Sequence, residues 1–355
     1  MWVVIENYDY PHIKETTMSF LKDDEFIILV ILNPRTADYI KDMYVPTVDD
    51  RKRFIDVGMQ SVIEYPMWSL INPKPTVYDW NEIEMRLKVN RAAGMKTIFL
   101  SAGWLLPNWI PSGWRAKHQN GVAEPEMLSM WNEEAQEYSD GFYHKLVDNF
   151  GAEDVLFMWG EFQGGEGIYP SDPSFYDDAA LADYRKVYGS SAYPDIKNSE
   201  TLDWFGKKAI EYSLRKQRIL YPQHQEIWNS QQLLMDIWAK GFGNFVIPET
   251  FQAFRDEWPD GDLIFSQFTY FDPAHYEIPN EAFVDRIKND YNAKVIVEAH
   301  YAQGLKDTTP KAIAKGFRGQ MCGPVHHQSG YNSRVEQWMY DEIGKAHLLW
   351  SASRG

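Results

Sequence analysis

Eight runs of apolar residues recur along the chain at fairly even spacing, with amphipathic stretches between most of them. The runs are rich in β-branched and aromatic residues and too continuous to leave one face in water, which is typical of buried parallel strands. Strands that alternate with helices need crossover connections, so the pattern predicts a parallel sheet. The runs lie at residues 25–34, 61–68, 96–104, 155–161, 225–231, 262–272, 294–302 and 318–328.

The stretches between the runs have the ends expected of helices. The helix before the third run is predicted to end at Gly94 and the one before the fourth at Gly151, because glycine is the usual residue just past a helix. Eight strand–helix units in 355 residues fit a (β/α)8 barrel better than an open sheet. No GxGxxG or GxxxxGK[ST] motif follows any run, which disfavours a nucleotide-binding open sheet. We predict an α/β chain with one (β/α)8 TIM barrel over residues 1–355, in which residues 162–224 form an excursion over the barrel mouth.

Charge and cysteine content exclude several classes of protein. The net charge of -16 disfavours nucleic acid and anionic membranes as partners, because both need a basic surface. The single cysteine, Cys322, excludes an internal disulfide framework and a multi-cysteine metal site. No apolar run is long enough to span a bilayer, and no signal peptide is recognised at the start. We expect a cytoplasmic protein if the chain is complete and a secreted or periplasmic one if a leader was removed; a homo-oligomer is compatible with the sequence.

Two glutamates interrupt apolar runs near their ends, where barrels of this kind carry their chemistry. Glu161 ends the fourth run, and Glu298 lies within the seventh. A lone glutamate there is more often a salt-bridge or loop-capping residue, but a buried acid is costly unless it is paired or functional. Glycosidic cleavage needs one carboxyl that protonates the leaving oxygen and another that is ionised. We therefore predict Glu161 and Glu298 as a catalytic pair that needs no cofactor.

Aromatic residues make up 15% of the chain, with 14 Trp and 21 Tyr. This indicates either a large aromatic core or a carbohydrate cleft, because the apolar face of a sugar stacks well on Trp and Tyr rings. Six aromatic residues at or after strand ends are predicted to stack on sugar: Trp68, Trp104, Trp109, Trp159, Trp228 and Tyr301. Three more residues are predicted to orient hydroxyls or the nucleophile: Asn229, Tyr270 and His300.

Three further polar positions have more than one interpretation. Glu64 is either a structural residue or a ligand of a sugar hydroxyl. His326 and His327 are adjacent, so in a strand their side chains point to opposite faces. His326 is then a single inward histidine with no carboxylate at ligand spacing, which predicts a substrate contact and no metal. Glu166 is expected to bind substrate or order its loop, and it is the main competitor to Glu161.

Three segments resemble a known family of barrel enzymes. Residues 59–111, MQSVIEYPMWSLINPKPTVYDWNEIEMRLKVNRAAGMKTIFLSAGWLLPNWIP, resemble the opening of the barrel in glycoside hydrolase family 42 β-galactosidases and their clan A relatives. MWGEFQGGEG (158–167) resembles the family's fourth-strand motif, and VIVEAH (295–300) its seventh-strand segment. The resemblance implies a retaining hydrolase of β-linked glycosides, with Glu161 as acid/base and Glu298 as nucleophile.

The sequence departs from that family at two points and is compatible with other functions. Gly160 stands where the clan has the asparagine before its acid/base, and the zinc-binding cysteines of some members are absent. GEGIYPSDP (165–173) resembles a loop of β-amylases, which are inverting, and would make Glu166 the general acid. Retention needs the two carboxyls about 5–5.5 Å apart, whereas inversion leaves about 6.5–9.5 Å. An inactive carbohydrate-binding barrel, a lyase and a metal-dependent hydrolase would each also be compatible with the pattern.

Overall fold

A computed structural model describes a large part of the 355-residue chain, and the statements below refer to that part. For strands β1, β7 and β8, defined next, it describes the backbone alone, as it does for Leu100, Glu126, Leu156, Met158, Trp159, Ser213, Val297, Glu298, Ala299, Met321 and Cys322. The described residues are 27–31, 47–64, 66–100, 106–150, 155–159, 174–195, 197–220, 225–229, 252–253, 255–256, 262–267, 285, 288–292, 294–299, 305–322 and 337–353.

Eight parallel strands form a closed barrel, and all eight coincide with predicted runs. Going round the barrel, the order is β1, β2, β3, β6, β7, β8, β9 and β10, and β10 pairs again with β1. The barrel strands are β1 (Ile27–Ile31), β2 (Ser61–Glu64), β3 (Lys96–Leu100), β6 (Val155–Trp159), β7 (Gln225–Asn229), β8 (Asp262–Gln267), β9 (Lys294–Ala299) and β10 (Gly319–Cys322). A short antiparallel hairpin between β3 and β6, made of β4 (Arg115–Lys117) and β5 (Ala123–Leu128), was not predicted.

Helices are described after six of the barrel strands. They are α1 (Val48–Asp56), α2 (Trp68–Ile71), α3 (Asn81–Ala93), α4 (Glu133–Phe150), α5 (Asp178–Tyr188), α6 (Ser199–Leu220), α7 (Leu305–Ala314) and α8 (Gln337–Ala352). After β7 and β8 only short helical pieces are described. The predicted end of α3 is confirmed, because Gly94 adopts φ 81° and its N–H reaches the last carbonyls of the helix. Within the described residues no helix is long and apolar enough to cross a membrane.

Side chains on neighbouring strands define the outer side of the barrel, which faces the helices. Glu64, Phe99 and Phe157 are paired in register across β2, β3 and β6. Glu64 is bonded to residues of α1 and α3, and the ring of Phe99 packs edge-on against Phe150 of α4. Because successive residues of a strand face opposite sides, the alternate positions form the inner side. Three fully buried isoleucines occupy such positions: Ile63, Ile98 and Ile296.

The register carries this assignment round to the seventh barrel strand. Trp159 of β6 pairs with Trp228 of β7, which pairs with Phe265 of β8, which pairs with Val295 of β9. These four positions therefore belong to the outer side, and Glu298, three residues after Val295, belongs to the inner side.

The opposite neighbour of β9 leads to the same assignment independently. Gln320 of β10 is bonded to Thr308 on α7 and is therefore on the outer side. Gln320 pairs with Val297, and Met321 pairs with Glu298. Glu298 thus occupies an inner position one residue before the end of β9.

Candidate active site

Three polar residues occupy inner positions near the carboxyl ends of three consecutive strands. Asn229 is the last residue of β7 and pairs with Ser266 of β8, which in turn pairs with Ile296 of β9. Glu298 is the next inner position beyond Ile296. The polar trio Asn229, Ser266 and Glu298 therefore forms one continuous patch of backbone positions at the end of the barrel that carries chemistry in this fold. Ser266 was missed by the sequence analysis, although it interrupts the apolar run DLIFSQF.

Glu64 lies outside this patch, and of its two predicted interpretations the contacts support the structural one and not the contact with a sugar hydroxyl. Its side chain is fully buried on the outer side. One carboxylate oxygen accepts from Arg51 at 2.9 Å and Asn90 at 3.2 Å, and the other accepts from Arg86 at 3.1 Å. Burial alone would lower the pKa of Arg86, but Glu64 and Glu82 raise it above its ordinary value. Glu64 therefore joins β2 to α1 and α3 and has a structural role.

Trp68 is a core residue, so its predicted role in sugar stacking is corrected. Only 1% of its surface is exposed. Its ring stacks on Phe142 at 5.0 Å and meets Trp109 edge-on at 6.4 Å. Its indole N–H donates to Asn72 at 3.1 Å. Packing and hydrogen bonding thus leave no face of this indole for a ligand.

Two other predicted stacking residues occupy outer positions. Trp159 and Trp228 pair with each other in register, on the side of the strands that faces the helices. The structure describes only the backbone of these two residues, so their predicted stacking on substrate stays a prediction.

Trp109 remains compatible with its predicted role. It lies beyond β3 and is only partly buried. Its indole N–H donates to the Asn72 carbonyl at 2.8 Å, and its ring packs against Trp68 and, at 5.8 Å, against Tyr138. One hydrogen bond and two ring contacts therefore fix the indole while part of it stays exposed.

The segment between β3 and α4 holds the excursion helices by polar contacts. Ser129, just after β5, donates to Asp177 at 2.7 Å, and Asp177 caps α5 by accepting from the N–H groups of Ala179 and Ala180. Burial raises the pKa of Asp177, although these hydrogen bonds oppose the rise. The backbone N–H of Tyr176 donates to the carbonyl of Lys117 in the hairpin at 2.9 Å.

Aromatic packing extends the same attachment to α6. Trp131 stacks on Trp204 of α6 at 4.4 Å, and Phe175 packs against Trp204 at 5.9 Å. Much of the aromatic content therefore serves the core and the attachment of the excursion rather than a carbohydrate cleft.

Several predicted site residues lie outside the described part of the chain. Their predicted roles stay predictions, as does the separation of the two catalytic carboxyls. They are Glu161, Glu166, Trp104, Tyr270, His300, Tyr301 and His326. Among the residues that are described, no group of His, Cys, Asp or Glu could hold a metal ion.

Comparison with solved structures reveals the same fold in two proteins of low sequence identity. The catalytic domain of a β-amylase from Paenibacillus polymyxa has a TM-score of 0.66 and 14% identity, over 91% of this chain and 98% of that chain. A β-galactosidase from Rahnella sp. R3 has a TM-score of 0.60 and 12% identity, over 93% of this chain and 56% of that chain. No protein-family model and no curated protein sequence matches this chain. The two likenesses establish that the barrel is of the type found in these glycosidases.

Proposed function

We propose that this protein is a glycoside hydrolase whose essential carboxylate is Glu298. The observation that carries the proposal is the register of β9, which gives Glu298 an inner position near the carboxyl end of the seventh barrel strand. A carboxylate at an inner position of the barrel is costly unless it has a partner or a function. Both solved structures with the same fold are described as glycosidases, so this function is favoured over a lyase.

In the proposed mechanism Glu298 is the nucleophile of a retaining double displacement on a β-linked glycoside. Its carboxylate attacks the anomeric carbon while Glu161 gives its proton to the leaving oxygen, and the glycosidic C–O bond breaks. Glu161 then takes a proton from water, the water attacks the glycosyl ester, and the carboxylate of Glu298 is released. The reaction consumes water and no other co-reactant, so we propose no cofactor.

The neighbours of Glu298 on β7 and β8 suit the binding of sugar hydroxyls. Asn229 offers both a donor and an acceptor, and Ser266 offers a hydroxyl that can do either. We propose that these two residues orient the sugar beside the nucleophile. Loss of one hydrogen bond to a bound substrate typically costs about 0.5–1.5 kcal/mol. An Asn229→Ala variant should therefore lower kcat/KM roughly 2- to 12-fold.

The test is turnover of nitrophenyl glycosides by single-residue variants. Glu298→Gln and Glu161→Gln should each remove turnover and keep the circular dichroism spectrum of the wild type. Glu82→Gln is a control, because Glu82 is a partly exposed surface acid of α3. Turnover by Glu298→Gln at the wild-type rate would exclude Glu298 as nucleophile. Oligosaccharide binding by a wild type that cleaves none of the glycosides would favour an inactive binding barrel.

A second candidate is an inverting hydrolase with Glu166 as general acid. It is favoured by the loop GEGIYPSDP and by the nearly complete coverage of the β-amylase domain, compared with 56% of the β-galactosidase. The first-formed anomer, followed by NMR, separates the two mechanisms. Retention with a mild effect of Glu166→Gln supports the first candidate, whereas inversion with complete loss in Glu166→Gln supports the second.

A further inference from the structure

Three partly exposed aromatic side chains lie together between the hairpin and α4. Tyr138 is 45% exposed, and its ring centroid lies 5.8 Å from that of Trp109 and 4.9 Å from that of Trp114. We call Trp109, Trp114 and Tyr138 the rim cluster. Leaving large aromatic side chains exposed to water costs free energy, so three of them in contact at the surface need an explanation.

Core packing and hydrogen bonds hold the rim cluster in place. The indole N–H of Trp109 is bonded to Asn72, and its ring packs on the buried Trp68. The Trp114 carbonyl accepts from Ser129 at 2.8 Å, which fastens the short 3-10 turn Ser112–Trp114 to the residue after β5. Tyr138 is carried by α4. Rigid aromatic rings bind a ligand at low cost in conformational entropy.

The rim cluster lies at the same end of the barrel as Glu298. The carboxyl end of α4 leads into the amino end of β6, so the start of α4 lies at the other end of the barrel, where the strands have their carboxyl ends. Tyr138 is in the second turn of α4 and therefore lies near that end. Trp109 confirms this position, because it binds the segment that follows β2 and α2. The rim cluster therefore borders the barrel mouth beside β2 and β3.

Strand order separates the rim cluster widely from the proposed nucleophile. β3 and β9 are four steps apart in a ring of eight strands, so they lie on opposite sides of the barrel. Eight tilted strands with the usual spacing give a barrel about 15 Å across. A ligand that reaches both Glu298 and the rim cluster must therefore be longer than one sugar ring.

The surroundings of the rim cluster favour a neutral ligand. The chain has a net charge of -16, and the exposed acids Glu134 and Glu137 lie on α4 beside Tyr138. These charges repel phosphate or sulfate groups. Flat aromatic faces flanked by polar side chains suit a sugar chain, whose apolar ring faces stack while its hydroxyls stay hydrated.

We propose that the rim cluster is a distal binding site for a neutral oligosaccharide, so that the natural substrate has several linked sugars. This inference rests on the proposed function, because it places the reacting bond at Glu298. Trp109, predicted as a stacking residue from the sequence, becomes part of this site; Trp114 and Tyr138 were not predicted.

The test compares Tyr138→Ala with Tyr188→Ala, since Tyr188 on α5 is also exposed, at 36%, and also packs against a tyrosine. Binding is measured by calorimetry in a Glu298→Gln background, with pentasaccharides of β-linked glucose, galactose, xylose and mannose and with maltopentaose. Tyr138→Ala should raise Kd for the pentasaccharide that binds by about 3- to 10-fold, which corresponds to the loss of one stacking contact. Tyr188→Ala should leave this Kd unchanged.

A second measurement separates failure of this inference from failure of the proposed function. With a nitrophenyl monoglycoside, which is too short to reach the rim cluster, Tyr138→Ala should keep the wild-type kcat/KM. If the wild type cleaves glycosides and Glu298→Gln does not, but Tyr138→Ala leaves pentasaccharide binding unchanged, the rim cluster is not a sugar site. An equal loss on short and long substrates would also overturn the inference. If Glu298→Gln retains full turnover, the proposed function itself fails.

Discussion

Replacing Glu64 by glutamine tests whether this buried acid is structural. The two oxygens of Glu64 neutralise Arg51 and Arg86, whose side chains are 2% and 8% exposed. Glutamine keeps the shape but removes the charge and places an NH2 group against one of the guanidinium groups. Breaking a buried ion pair by removing one partner typically costs about 3–5 kcal/mol, because the remaining charge stays buried.

The expected shift in melting temperature follows from the size of the chain. Unfolding entropy near the midpoint is about 2.1 cal/mol/K per residue, or about 0.75 kcal/mol/K for 355 residues. A loss of about 3–5 kcal/mol then lowers Tm by about 4–7 °C. Differential scanning calorimetry at pH 7 measures this shift, and urea titration gives an independent estimate of the free energy of unfolding.

Glu82→Gln is the matched control for this experiment. Glu82 contacts the same Arg86 at 2.6 Å, but its side chain is 41% exposed. A solvent-exposed pair of this kind is worth at most about 1 kcal/mol, so Tm should fall by about 1 °C or less. The reasoning is refuted if both variants melt together, or if Glu64→Gln keeps the wild-type Tm and instead raises KM for a glycoside.

Two further predictions concern the helical layer. Gly58→Ala should lower the free energy of unfolding by about 2–5 kcal/mol in urea titration, because Gly58 has φ 93° and an added Cβ would lie 2.1 Å from the His347 ring. Gly94→Ala is the control: Gly94 has φ 81° but nothing within 4 Å of an added Cβ, so the loss should be only about 1 kcal/mol. Equal losses in the two variants would contradict the close approach to His347. Burial lowers the pKa of Lys216 to about 8, while Asp140 opposes this shift. The folded protein then binds fewer protons than the unfolded chain between pH 8 and the ordinary value of 10.5, so stability should rise with pH by roughly 2 kcal/mol between about pH 8 and 10. Lys216→Met should lack this rise, and the same pH slope in both proteins would show that another group is responsible.

The barrel was predictable because its signals extend over many residues. Eight apolar runs marked the strands, and Gly94 marked the end of α3. The hairpin was missed because β4 has only three residues and β5 contains Pro125 between two glutamates. The two strands pair only with each other, outside the barrel. They therefore do not need the continuous apolar pattern of a buried barrel strand, and neither has it.

The candidate site was predicted only in part because its geometry depends on the side of each strand. Alternation within β9 gives Glu298 the inner side, but the same rule gives Trp159 and Trp228 the outer side once the register is known. The two ion-pair partners of Glu64 lie 13 and 22 residues away in the sequence, on two different helices. No local sequence pattern identifies such contacts. The sequence alone therefore could not decide whether an acid at a strand end has a structural role or binds substrate.

Covalent labelling of the protein tests the role of Glu298 most directly. The dinitrophenyl 2-deoxy-2-fluoroglycoside of a sugar that the wild type cleaves should trap the glycosyl ester, because the fluorine slows both steps while the good leaving group keeps formation faster than hydrolysis. Mass spectrometry of peptides should then find one sugar attached at Glu298 and none in the Glu298→Gln variant. A label on another carboxylate would contradict the assignment of Glu298 as nucleophile. So would a wild type that the reagent does not inactivate and that cleaves its substrate with inversion at the anomeric carbon.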